Sequence, residues 1–179
     1  RGVTQAINDL KEGDVVQFDI ASPGGQLDGL VSLLASIENT EAHVVGNIIG
    51  SASSAASILA LSCDEIYVSP FATMLVHNAS YGINGKAADV KGYVDHLNDT
   101  SEKMLRKVYK YFLTENEIER VVQGTDLWFN AEQIMERLQN KQDKEMAEIQ
   151  EIQKMIQDEK LNQEIPEAPK VKVKKSKIK

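Results

Sequence analysis

The chain has almost no cysteine, few histidines and a deficit of positive charge. Its single cysteine, Cys63, cannot close an internal disulfide, which excludes a disulfide-stapled module. In its apolar helical context it reads as a structural side chain. His43, His77 and His96 lie far apart, and none stands at zinc-ligand spacing from a cysteine or another histidine. No metal is therefore expected. No run of about 18 apolar residues occurs, so no membrane span is expected. A basic segment followed by an apolar stretch is also missing at the start, so no signal peptide is expected. The chain opens without Met on "RGVTQAINDL", as a fragment or a processed chain would. A net charge of -7 argues against nucleic-acid binding as the main role.

What is present suits one domain with an appendage: 179 residues, 42% of them hydrophobic. Helical spacing of Val3, Ile7 and Leu10 predicts a helix over 3–11. "VVQFDI" at 15–20 reads as a buried strand, and "ASPGGQ" after it as a loop. A helix is predicted over 27–38, a strand over 43–50, a helix over 53–62, and strands over 65–69 and 73–78. A glycine-containing loop at 81–86 leads into a long amphipathic helix over 87–112. Alternating strands and helices of this kind predict an α/β domain with a largely parallel sheet. Chemistry in such sheets gathers in loops after the carboxyl ends of strands.

Two of those loops are unusual. "GSASSAAS" at 50–57 puts several serines where a strand hands over to a helix. A serine needs a base to take its proton and N–H donors for the oxyanion that forms on attack. Ser51, Ser53, Ser54 and Ser57 equally suit helix caps and small packing residues, and this stretch alone does not choose. "SPGG" at 22–25 lets main chain approach a ligand closely, although an ordinary turn has the same composition. "MLVHN" at 74–78 ends an apolar strand on a histidine, where a base could stand or a core histidine sit.

Taken in order, "SPGG", "GSASSAA", "MLVHN" and "TDLWFNAEQ" (125–133) resemble the proteolytic subunit of the Clp protease, and especially the related proteases of bacteriophage head maturation. The resemblance covers roughly residues 3–138. It implies a spiral of βαβ units, shared with crotonase-type enzymes, carrying a protruding handle helix. It also implies a serine endopeptidase with a Ser–His–Asp triad: Ser54 as nucleophile, His77 as base, Asp126 as its orienting carboxylate. The backbone N–H groups of Gly25 and Ala55 would form the oxyanion hole, with Gly24 beside the substrate. No cofactor is implied. The implied partners are a polypeptide substrate and further copies in a ring, with a capsid, scaffold or unfoldase protein as an additional partner. The implied location is the cytoplasm, that of the host for a phage-encoded chain.

Three departures stand out. The residues after Ser54 are Ala-Ala, where the family usually has Met-Gly. The family's N-terminal strand and axial segment have no counterpart before Arg1. Its usual chain ending after the "AEQ" helix is also absent, and residues 139–179 instead read as a charged helix with a thin stripe of Met146, Ile149, Ile152 and Ile156, then a disordered Lys-rich tail. Two other readings compete: a crotonase-type acyl-CoA enzyme, which should not depend on Ser54, and a catalytically dead assembly or scaffold-linked protein. For a Ser–Lys dyad the nearest candidate bases are Lys86 and Lys91, and neither sits in a convincing motif.

Overall fold

A computed structural model describes residues 2–163. Its elements are α1 (Val3–Asn8), β1 (Val15–Ser22), α2 (Leu27–Asn39), β2 (His43–Ser53), α3 (Ala55–Leu61), β3 (Glu65–Val68), β4 (Thr73–Val76), α4 (Ala87–Val108), α5 (Glu115–Val122), β5 (Leu127–Asn130) and α6 (Ala131–Gln163). This is the α/β architecture expected, long helix included. The chain divides into two compact units, Arg1–Gln142 and Asp143–Lys179. In the second, the described part of α6 leaves Met146, Ile149, Ile152 and Ile156 exposed. The Lys-rich tail lies outside the described residues.

The sheet of the first unit runs β1-β2-β4-β5, with β3 also paired to β2. The long β2 makes this branching feasible: Val45–Ile48 pair with β3, and Ser51–Ser53 pair with β4 further along. The β1–β2, β2–β3 and β2–β4 pairs are parallel and need crossover connections, whereas β4–β5 is antiparallel.

Strand alternation sorts the sheet into two faces. One carries Ile20, Ile48, Ala52, Met74, Val76 and Phe129, all in the core cluster. Full burial of a side chain such as Ile48 or Met74 contributes about 1.5–3 kcal/mol. The other face carries Asn47, Ile49, Tyr67 and Trp128, and the last three are half or more exposed.

Several boundaries differ from the sequence expectation. The 43–50 strand continues to Ser53, because main-chain pairing with β4 carries it past Gly50. α1 stops at Asn8 and α4 at Val108, both short of the expected ends. The sequence reading missed α5 and β5. α5 carries a local signal, a capping box in which Thr114 Oγ accepts from the Glu117 N–H and the Glu117 carboxylate accepts from the Thr114 N–H. Arg137 of α6 then donates to both Glu117 carboxylate oxygens, at 2.7 and 3.0 Å, and to the Phe112 carbonyl. Its guanidinium stacks on Phe129 of β5, 4.4 Å from the ring centre. One arginine thus ties α5, β5 and α6 together and fixes the short connection that holds Asp126.

Candidate active site

The expected site residues fall at one end of adjacent strands. Gly24 and Gly25 follow β1, Ser54 follows β2, His77 follows β4, and Asp126 precedes the antiparallel β5. Reversal of β5 is what brings Asp126 to the same edge as the other three.

Ser54 sits on a tight turn between β2 and α3, with φ 57 and ψ -126. A non-glycine residue there is strained by roughly 1–3 kcal/mol and persists only when its surroundings hold it. Its N–H donates to the Leu75 carbonyl of β4 at 2.9 Å, and its carbonyl accepts from the Ser57 N–H at 2.9 Å. The other serines of the stretch are engaged differently. Ser51 Oγ and Ser53 Oγ lie 2.6 Å apart, and Ser57 Oγ donates to the Ser54 carbonyl.

Gly24 explains the close approach of the two loops. A Cβ there would lie 2.7 Å from the Ser53 carbonyl oxygen and from Ser54 Cβ, and 3.1 Å from the Ala55 nitrogen. Its φ of +101 independently favours glycine. Gly25 is different: a methyl group at its Cα would meet nothing within 4 Å. Gly25, Ser54, Ala55 and His77 line one cavity of about 570 Å³. Gly24 lines a neighbouring cavity of about 420 Å³, which also reaches Gly25 and Ala55. The larger cavity has an apolar wall built from Leu30, Ile58, Leu97, Met104 and Leu105.

Asp126 does not line that cavity, and no hydrogen bond joins His77 to Ser54 or to Asp126 among the described residues. The sheet register nevertheless relates the two. β4 and β5 pair as Met74 with Phe129, Leu75 with Trp128 and Val76 with Leu127. That pairing ends there, and His77 and Asp126 are the next residues beyond it, one leaving β4 and the other entering β5. Asn78, passed over in the sequence, fixes this end of β4. Its Oδ1 accepts from Ser101 Oγ of α4 at 2.8 Å, and its Nδ2 donates to the Val122 carbonyl of α5 at 3.1 Å. The "HN" pair of "MLVHN" was the available signal.

The remaining candidates lie elsewhere. His43 approaches Glu65 and Asp64 at 3.3 and 3.7 Å on an exposed edge. Lys86 stands at the N-cap position of α4 and Lys91 pairs with Asp95, and neither lines the cavity with Ser54. Cys63 is half-buried beside Gly46, and burial pushes its thiol up to about 12, as for an inert side chain. Among the described residues no group of three His, Cys, Asp or Glu side chains could hold a metal ion. Nor is any described helix long and apolar enough to cross a membrane.

The chain is similar to proteolytic subunit 1 of the ATP-dependent Clp protease of Chlamydia muridarum, 25% identical over 128 residues, covering 69% of this chain and 67% of that one. It is 24% identical over 146 residues to the same subunit of Chlamydia trachomatis, covering 76% of each. Subunit 2 from Rhodococcus jostii is 26% identical over 125 residues, covering 68% of this chain and 63% of that one. The sequence profile of the family described as Clp protease matches residues 5–137, which takes in every strand of the sheet and every loop of the site: the chain belongs to the Clp protease family.

Proposed function

We propose that the chain is a serine endopeptidase in which Ser54 attacks the peptide carbonyl, His77 is the base and Asp126 orients it. The observation that carries the reading is the strained Ser54 turn, opening with Gly25, Ala55 and His77 onto one cavity. His77 takes the Ser54 hydroxyl proton as Oγ bonds to the carbonyl carbon, then returns it to the leaving amine. The N–H groups of Gly25 and Ala55 hold the oxyanion, and one such donor is typically worth about 100- to 1,000-fold in rate. Asp126 is assigned from its place directly before β5, the strand paired with the one that leads into His77. The apolar wall suits an apolar side chain of an unfolded polypeptide.

We also propose that the active form is a homo-oligomeric ring. Ile49, Tyr67 and Trp128 are all exposed on one face of the sheet, and exposed apolar surface of this kind suits a partner contact. Residues 1–138 would form the protease domain and 139–179 an appendage for a capsid, scaffold or unfoldase partner. General Clp-type proteolysis is the reading that the bacterial relatives favour, with phage head maturation as the narrower alternative. Peptide hydrolysis by wild type and Ser54→Ala tests the core of this. Loss of turnover with an unchanged melting temperature supports it. Retained turnover contradicts it and returns the crotonase-type reading, and an inactive wild type returns the scaffold reading.

A further inference from the structure

We infer that Ser57 and Tyr109 act as a positioning pair that orients the Ala55 N–H for the oxyanion, an inference that rests on Ser54 being the nucleophile. Ser57 Oγ lies 2.7 Å from the Ser54 carbonyl oxygen and 2.6 Å from Tyr109 OH. Counting hydrogens fixes the direction of both bonds. A carbonyl only accepts, so the single hydroxyl hydrogen of Ser57 goes to Ser54, and Tyr109 must donate to Ser57. The relay therefore runs from the Tyr109 O–H to Ser57 Oγ, and from the Ser57 O–H to the Ser54 carbonyl.

That carbonyl shares a planar trans peptide with the Ala55 N–H, which points the opposite way. Holding the carbonyl therefore aims the N–H. The main-chain N–H of Ser57 also donates to the carbonyl at 2.9 Å, a contact any residue at 57 would supply. What the hydroxyl adds is a link to the end of α4, where Tyr109 caps the helix. The same helix presents Leu97, Met104 and Leu105 to the cavity wall, so the relay joins the wall to the oxyanion donor.

Both side chains are almost completely buried. A Ser–Tyr pair in that position is costly unless both hydroxyls are satisfied, and an Ala–Phe pair would fill the space with less risk. Burial also raises the Tyr109 phenol, which keeps its donated proton in place. The sequence offered Ser57 as a cap or packing residue and placed Tyr109 in the long amphipathic helix over 87–112. The structure turns Tyr109 inward, onto the back of the Ser54 turn.

The test uses the full chain as Ser57→Ala, Tyr109→Phe and the double variant, with kcat referred to the fraction of Ser54 that a fluorophosphonate probe labels. Loss of one orienting hydrogen bond predicts a fall in kcat of about tenfold for Ser57→Ala, with KM within about threefold. Tyr109→Phe should lose about three- to tenfold, and the double variant no more than Ser57→Ala alone, because the two hydroxyls act in series. Losses that multiply, or that appear in KM alone, overturn the relay. So does a folded Ser57→Ala with wild-type kcat. Wild type unlabelled at Ser54, with activity kept in Ser54→Ala, is a distinct result that removes the nucleophile assignment and the relay with it.

Discussion

Replacing Gly24 by Ala should damage both stability and turnover, and three other glycines allow the causes to be separated. At Gly24 the new methyl meets two costs. Its φ of +101 lies in the left-handed region, worth about 1–2 kcal/mol against an L side chain. The methyl would also stand 2.7 Å from the Ser53 oxygen and Ser54 Cβ, and these are a main-chain atom and one bonded directly to the main chain rather than a movable side-chain end. Overpacking of that sort costs about 1–3 kcal/mol. The sum is a loss of about 2–5 kcal/mol. Gly124 and Gly13 have φ of +96 and +90 with nothing within 4 Å, so Gly124→Ala and Gly13→Ala should show only the first cost. Gly25→Ala has open space and no left-handed backbone, so its stability should stay within about 1 kcal/mol of wild type. Urea unfolding of the four variants reads these differences directly. Peptide turnover adds a second readout, because Ser54 and Ala55 are the groups that must yield to the Gly24 methyl. A misplacement approaching 1 Å costs on the order of 100-fold, so a drop of about tenfold or more is expected in whatever fraction stays folded. Gly24→Ala no less stable than Gly124→Ala would refute the packing argument.

Asp126→Asn should lower kcat by about 10,000-fold with little change in melting temperature, since Asp126 is exposed and the role proposed for it is to set the His77 tautomer; an equal loss from Asp64→Asn or Asp99→Asn instead would contradict the assignment. Glu117 is held at about 2 chiefly by its hydrogen bonds from Arg137, below its ordinary 4.5. Its folded value is depressed, so its contribution is complete above about 4.5 and is lost as the pH falls through about 2. The stability gap between wild type and Glu117→Gln, about 1.5–3 kcal/mol at neutral pH, should therefore shrink across that window in pH-dependent unfolding. A chain ending at Leu138 should sediment as the same oligomer as the full chain at tens of micromolar and keep its peptide turnover. A ring lost on that truncation would contradict a dispensable appendage.

The strand–helix alternation was legible because periods of 2 and 3.6 residues are local properties of the chain. So were the loops around Gly25 and Ser54, whose small residues mark places where main chain must come close. β5 was not legible: four residues carry almost no periodicity, and pairing with β4 is a contact across some fifty residues of chain. That miss hid why Asp126 falls at the same end of the sheet as His77, since only an antiparallel β5 starts where β4 ends. α5 could have been read from Thr114 and Glu117, which stand at capping-box spacing before Ile118 and Val121. The role of Ser57 was out of reach, because its partner Tyr109 is 52 residues away. Periodicity assigned Tyr109 to a helix face without saying which surface would cover it.

The central claim is that Ser54, alone among the serines of its loop, is an activated nucleophile. Incubating the full chain with a fluorophosphonate probe and mapping the modified peptide by mass spectrometry tests it most directly. The account predicts one phosphonylated residue, Ser54, with labelling abolished in Ser54→Ala and slowed strongly in His77→Ala. Modification of Ser51, Ser53 or Ser57 instead, or labelling that persists at wild-type rate in His77→Ala, would contradict it.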